Sequence, residues 1–252
     1  TLTNMAMGLN YKVVDGIAVA LVIRALYDWV YQFGLQYKPV HGLWSVLLIF
    51  VISDASFYLY HYLTHKVRWF WTSHVTHHSA ERMNYSTALR QNFTLEFNGA
   101  WLVWWMPMAL VGFNKDWATL AIEASLAYQF FLHTETKSPL DKLGFILNTP
   151  SHHRVHHGSN PAQIDTNFGG ILIIWDKLFG TFLPEEKAGE IKYGLSERQP
   201  HSLNPLYLQV HEWGDMFRDF RASGYDFRVF VKAPGWKSDK REQKAVVSRS
   251  AG

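Results

Sequence analysis

The 252-residue chain contains no cysteine. That excludes a disulfide scaffold, a thiolate metal site and a cysteine nucleophile. Charge is also scarce: Asp, Glu, Lys and Arg make up 18% of residues, and the net charge is only +3. No basic stripe goes with it, so no nucleic-acid partner is expected. A basic start followed by an apolar run and a small-residue cleavage site is missing, so no secretory signal is read. HExxH is absent, which removes the zinc-protease signature. No internal repeat is found. The chain begins at Thr1 rather than Met, so a trimmed portion of a longer polypeptide is expected.

What is abundant is aromatic and apolar. Hydrophobic residues reach 48%, with 11 Trp, 12 Tyr and 17 Phe, which excludes a disordered chain. The mean hydropathy of −0.10 resembles that of a soluble protein, but it averages very apolar stretches with a middle rich in histidine. The length suits one domain with a tail. Four apolar segments are read as bilayer spans, at about 13–33, 43–63, 97–113 and 117–132; the last two are short for a full crossing, but the Trp and Tyr at their ends suit an interfacial belt. The first carries Asp15, Arg24 and Asp28 and is the weakest. The alternative is a set of buried helices in a soluble α-protein. Asn114-Lys115-Asp116 reads as a tight turn between antiparallel helices, which puts the residues before 97 and after 132 on one side. Glu123, costly in mid-span, is expected to neutralise Arg24. A cap at about 64–96 and 133–231 and a polar tail at 232–252 complete an all-α reading, with 1–231 as a single membrane-embedded domain. Residues 171–182 read as an interfacial helix or lid. Lys66, Arg68, Arg82, Arg90, Lys137, Lys142 and Arg154 flank the cap side and only Lys115 the other, so the cap is expected to face the cytoplasm.

The unusual count is 13 histidines. His61 and His65 form HxxxH. His74, His77 and His78 form HxxHH, and His153, His156 and His157 form a second HxxHH preceded by His152. His133 stands alone at the end of the fourth span. Residues at i, i+3 and i+4 share a helix face, so each trio is expected to present its imidazoles together. Neutral imidazole ligates Fe, Zn, Cu and Ni. Nine candidate ligands exceed one ion's shell of roughly four to six, so two metals are the simplest reading. Asp54, Tyr58, His61 and His65 fall on one stripe, and Asp54 and Tyr58 are expected to orient ligand imidazoles from behind. Asp165 and Asp176 are candidates for the same role. Haem held by His pairs would call for facing pairs inside the spans instead. A non-catalytic metal carrier would string its ligands through the span depth, whereas these gather at one end. His41, His201 and His211 are read as ordinary.

On HYLTH at 61–65, HVTHH at 74–78 and HRVHH at 153–157, the chain resembles the fatty acid hydroxylase/sterol desaturase superfamily. NYSTALRQ at 84–91, FLHTE at 131–135, LNTPSHHRVHHG at 147–158 and IIWDKLFGTF at 173–182 resemble its alkylglycerol monooxygenase branch. The resemblance implies an integral membrane enzyme with a cytoplasm-facing pair of irons, in a bacterial inner membrane or the endoplasmic reticulum. Zinc is an alternative occupant of such a site after purification. It implies O₂-dependent hydroxylation of a lipid C–H bond, or desaturation on the same centre. The reductant would be tetrahydrobiopterin, or electrons from a cytochrome b5- or ferredoxin-type partner. Some members have a second His four residues after the position of His133; here that residue is Lys137, which leaves the second metal with one ligand fewer, or with Glu135, water or another residue in its place; Glu135 and His152 are also candidates to support the ligands from behind. A lipid slot lined by Trp101, Trp104, Trp105 and Phe130 is expected. Asn84, Arg90 and Gln91 are candidates for lining the site or binding a pterin or head group.

Overall fold

The computed structural model describes residues 1–36 and 42–238. His41 and residues 239–252 of the expected tail lie outside the described residues. The described residues are helical, with one isolated bridge between Leu147 and Leu172.

Helix α1 (Leu2–Ala18) runs through a π-helical segment, Val19–Ile23, into α2 (Arg24–Tyr31). The first apolar segment is therefore the later part of one rod that begins at residue 2. After it comes α3 (Leu43–Lys66), about 36 Å long at about 1.5 Å per residue. Among the described residues α3 is the one helix long and apolar enough to cross a membrane. Helices α4 (Arg68–His78), α5 (Tyr85–Ala88) and α6 (Leu95–Asn98) cover its C-terminal end.

The third apolar segment is shorter than its hydropathy suggests. Asn98 ends α6, and Gly99 takes φ 79°, a left-handed turn open to glycine. The Asn98 side chain accepts from the Ala100 N–H and starts α7 (Trp101–Val111). Gly112 at φ 113° stops it again. Helix α7 is about 16 Å long, less than a full crossing. The turn is Gly112-Phe113-Asn114; Asn114 caps α8 (Lys115–Phe130) by accepting from Trp117 N–H. Lys115 and Asp116, expected in the turn, form the first turn of α8.

Helices α1–α2, α3, α7 and α8 pack as an antiparallel bundle around Tyr27, Phe57, Tyr60, Trp101, Trp104, Trp105 and Met108. The turn end is tied by Tyr27 Oη donating to Phe113 O at 2.7 Å and by Arg24 to Asp116 at 2.6 Å. Glu123 does not meet Arg24; it faces Lys12 at 3.5 Å. The bundle's outer faces are apolar: Leu9, Val13, Ile17, Leu21, Leu43, Trp44, Leu47, Val51, Leu110 and Leu120 are exposed.

The cap adds α9 (Pro150–His156), α10 (Ile174–Phe179), α11 (Glu185–Ala188), α12 (Pro205–Ala222) and α13 (Arg228–Val231), with a 3₁₀ turn at Pro139–Leu143. Of the segment read as an interfacial helix, only Ile174–Phe179 is helical. Arg68 is buried and bonds Glu212 at 3.0 Å and Asp219 at 2.8 Å, fastening α4 to α12. Residues 232–238, read as tail, pack on the cap: Lys232 O accepts from Arg68 N–H and Ser238 is buried.

Candidate metal centre

Nine buried or nearly buried histidines converge where the bundle meets the cap. They form two groups. His61, His65, His74, His78 and His156 make one; His77, His133, His153 and His157 make the other. Within each group the candidate ligand nitrogens lie within 4.8 Å of one another.

The grouping overturns the expectation that each HxxHH trio acts together. His74 and His78 join one group while His77 turns to the other. His153 and His157 join the second, and His156 crosses to the first. The geometry follows from helix pitch. Positions i and i+4 are about 40° apart around the axis, whereas i+3 and i+4 are about 100° apart, from 3.6 residues per turn. Helices α4 and α9 each sit between the groups and supply both.

The ring nitrogens facing inward are Nε2. His61 Nε2 lies 3.0 Å from His74 Nε2, and His78 Nε2 lies 3.2 Å from the same atom. In the second group His133 Nε2 is 3.1 Å from His77 Nε2 and 2.9 Å from His153 Nε2. On the outer side His61 Nδ1 donates to Phe168 O at 2.9 Å, His133 Nδ1 to Gln129 O at 2.9 Å and His156 Nδ1 to Thr166 O at 2.8 Å. A proton fixed on Nδ1 leaves the Nε2 lone pair aimed at the centre, the state a metal needs. His65 Nε2 and His156 Nε2 are buried with no protein partner. Convergent Nε2 lone pairs fit a cation in each group, and in the first group two of them have no other partner. Burial, reinforced by neighbouring imidazoles, holds His74, His77, His78, His153 and His157 well below the ordinary histidine value. Burial lowers His133 to about 4 and His156 to about 3.

The orienting groups differ from those expected. Asp54 touches no imidazole; it accepts from Ile171 N–H at 2.8 Å, Leu172 N–H at 3.1 Å and Trp175 Nε1 at 2.8 Å. Tyr58 Oη meets Thr181 Oγ1. Asp176 accepts from the Phe168 and Gly169 N–H groups at 2.7 and 2.8 Å, and burial pushes its carboxyl up to about 6. Both acids act through the 165–175 loop, whose carbonyls hold His61 and His156. Asp165 and Asn167 take positive φ, 64° and 55°, on either side of Thr166. Of the proposed orienting acids only Asp165 reaches a ring, 3.5 Å from His65 Nδ1. Sequence reasoning missed the carbonyls of Gln129, Thr166 and Phe168, because a backbone acceptor leaves no side-chain signature.

Other candidates fall outside both groups. Glu135 accepts from Met83 N–H at 3.0 Å, and His152 lies by Thr149 Oγ1. Asn84 caps α5. Arg90 is buried behind α4, donating to Thr76 O at 2.8 Å and Ser79 Oγ at 2.8 Å. Gln91 lines a cavity and donates to Ala88 O.

Two cavities approach the histidines through different rings. A larger one, about 650 Å³, is lined by His61, His74, His77, His133 and His153 together with Trp101, Trp104, Trp105 and Phe130. A smaller one, about 260 Å³, is lined by His65, His78 and His156 with Arg68, Trp71, Asp165, Arg198 and Trp236. The expected aromatic slot coincides with the first.

Buried imidazoles in two groups, at the end of an antiparallel helical bundle and beside an aromatic cavity, define a helical protein with a histidine-built centre. The chain belongs to the fatty acid hydroxylase family, whose model matches residues 46–181. It is 39% identical over 249 residues to alkylglycerol monooxygenase of Xenopus tropicalis, covering 95% of this chain and 53% of that protein. Against alkylglycerol monooxygenase of Homo sapiens it is 39% identical over 221 residues, covering 85% and 47%. An ornithine lipid hydroxylase of Rhizobium tropici is 31% identical over 155 residues, covering 61% and 44%. The chain spans about half the length of the alkylglycerol monooxygenases it matches. No solved structure matches it.

Proposed function

We propose that this chain is the oxygenase unit of a membrane lipid hydroxylase, acting on a lipid C–H bond with O₂ at a pair of irons held by the two histidine groups. The observation that carries the reading is the meeting of nine buried imidazoles with an aromatic cavity of about 650 Å³. The names of the relatives, alkylglycerol monooxygenase and ornithine lipid hydroxylase, support hydroxylation.

Two bound irons would supply O₂ activation and transfer of one oxygen atom to carbon. The rest of the work falls to this chain's residues. Gln129, Thr166 and Phe168 carbonyls keep Nδ1 protonated and Nε2 free. Among the described residues no carboxylate joins either group, so the neutral imidazoles would leave the metal charge uncompensated and the centre electrophilic. Trp101, Trp104, Trp105 and Phe57 wall the larger cavity and keep water from the reacting carbon. The smaller cavity, which reaches the other histidines and is lined by Arg68, Asp165 and Arg198, suits entry of reducing equivalents from a pterin or a cytochrome b5- or ferredoxin-type donor.

The chain sits in the bilayer through α1–α2, α3 and the α7–α8 hairpin, with the cap on the cytoplasmic side. The exposed leucines and tryptophans of those helices and the basic residues of the cap support this placement. Incubation of iron-loaded protein with lipid and a two-electron source, a tetrahydropterin or a reduced ferredoxin, under ¹⁸O₂ tests the activity. A product heavier by one ¹⁸O atom is expected. A product lighter by two hydrogens would mean desaturation, and identical aerobic and anaerobic profiles would defeat the reading.

A further inference from the structure

Asp54 stands in the middle of α3, the twelfth of its 24 residues and about 17 Å from either end at about 1.5 Å per residue. A carboxylate at that depth of a spanning helix is costly unless protein groups satisfy it. Its partners are the Ile171 and Leu172 N–H groups and the Trp175 indole, so these share its depth. One turn nearer the histidines, Phe179 stacks on Tyr58 at 5.3 Å between ring centroids. Helix α10 therefore lies along the wall of α3, beside the bundle rather than on top of it. Residues 143–147 run with it. Ile173 N–H donates to Ile146 O at 2.9 Å, Asn148 N–H to Ile171 O at 2.7 Å and Lys177 Nζ to Phe145 O at 2.9 Å. The two pieces expose Leu143, Phe145, Ile146, Ile174, Leu178 and Phe179; of these Phe145, Leu178 and Phe179 are 63%, 69% and 63% exposed. Apolar side chains so concentrated mark a surface that meets something apolar.

We propose that residues 143–147 and 171–179 form a wedge sunk among the acyl chains of the bilayer leaflet on the cap side. The proposal rests on the membrane placement given above and adds to it a segment whose helix has only six residues. Lipid chains are the occupant because the wedge continues a surface that already faces them. An apolar groove of about 240 Å³ between α3 and α8, lined by Val46, Phe50, Leu120 and Ala124, includes Ile171 of the wedge. Non-helical backbone persists at such depth only where protein satisfies its polar groups. Here Asp54 takes the Ile171 and Leu172 N–H groups, and Ile146 O takes that of Ile173. Asp54 thus does inside the membrane what water would do outside it. Lys177 is the cation on α10, and its charge is not left bare: besides Phe145 O it has the Phe182 ring, 4.8 Å from Nζ to the centroid. Lys142, exposed beside Leu143, has a stem long enough to reach lipid phosphates. The wedge is the lipid-facing back of the loop whose Thr166 and Phe168 carbonyls hold His156 and His61.

The chain has no cysteine, so a single introduced cysteine reports its position without background. Leu178→Cys and, independently, Phe145→Cys are labelled with a fluorophore in the full chain in nanodiscs. Both side chains are exposed, so neither substitution disturbs the packed interior. Leu47→Cys on the outer face of α3 is the membrane reference, and Lys192→Cys, exposed on the cap, is the aqueous one. The nanodisc lipids carry a nitroxide either on the head group or along the acyl chain, and iodide quenches from water. The chain nitroxide is expected to quench the Leu178 and Phe145 labels as strongly as the Leu47 label, and iodide to leave them bright while it quenches the Lys192 label. Stronger quenching by the head-group nitroxide would make the segment a surface helix. Iodide quenching equal to that at Lys192 would put it in water, and shielding from both quenchers would mean that a second copy or another protein covers it. Each of these overturns the wedge while the Leu47 label still reports the bundle in lipid. Iodide quenching of the Leu47 label itself would sink the membrane placement, and the wedge with it.

Discussion

His78 and His157 stack at 4.4 Å between ring centroids, with an interplanar angle of 21°, although they belong to different nitrogen groups. The contact joins the two halves of the centre. Beside it, His77 and His156 each sit at the i+3 position of an HxxHH and cross to the other group. The two metal positions are thus interleaved through α4 and α9, yet each ring has its own assignment.

Single substitutions should therefore separate the positions. Replacing His133 by Ala removes one of four candidate ligands from the second group and leaves all five of the first. Bound metal is expected to fall from two equivalents to about one, with the bundle still folded. Replacing His65 by Ala should thin the five-membered group and weaken metal there without emptying the other. Metal analysis of each purified variant, with titration of the residual site, checks this. Loss of both ions from His133→Ala would show that the groups act as one site.

Asp54 offers a test of support at a distance. It is 1% exposed and receives two backbone N–H groups and the Trp175 indole N–H, all from the loop region that also supplies Phe168 O and Thr166 O. Asp54→Ala would leave three donors unmatched, a cost of about 2–4 kcal/mol in stability. Metal affinity should also fall roughly 10-fold or more, as when an outer partner of a ligand is lost. Thermal melts and metal titration read the two effects. Full affinity in a destabilised Asp54→Ala variant would confine the residue to holding the fold.

Acid should unfold the metal-free protein early. A buried histidine whose pKa is lowered binds its proton only in the unfolded chain through the window between the two values. For His133 that window runs from about 6.5 down to about 4. Its contribution is complete above about 6.5 and is lost as pH falls, about 3 kcal/mol for this residue alone. His156, lowered to about 3, acts in the same direction. Melting temperature should drop steeply between pH 7 and 5, and bound metal should leave over the same range because protons compete for Nε2. A flat profile would mean the imidazoles are hydrated rather than buried.

The sequence carried the membership of the centre but not its partition. HxxxH and the two HxxHH motifs name eight of the nine rings, because i, i+3 and i+4 lie on one broad side of a helix; His133 was read from its place at the end of the fourth apolar segment. Which group each ring joins depends on α3 and the 165–175 loop, and no local spacing records that. The same limit hid the role of Asp54 and Asp176, whose partners are backbone N–H groups more than a hundred and about eight residues away, respectively. Hydropathy also overran at 97–113, where Asn98 and Gly99 break the chain between two apolar runs. Glu123 was paired with the wrong cation because helix rotation, not depth, decides that Lys12 lies beside it.

Filling the larger cavity tests whether it holds the lipid chain. Ile122 is buried on α8 and lines the cavity away from the histidines in sequence. Ile122→Trp adds bulk toward the space without altering any candidate ligand. Overpacking costs about 1–3 kcal/mol where the neighbours are tight, and the adjoining void should keep the cost low. Metal content is therefore expected to stay at the wild-type level. Each buried methylene is worth about 0.8 kcal/mol, so losing room for two should weaken long-chain lipids roughly tenfold. Short-chain lipids should be affected far less. The comparison of KM across chain lengths is the informative measurement, since a general defect would depress all lengths alike. Equal loss at every length would mean that the chain runs elsewhere and that Ile122 serves only the packing of the bundle.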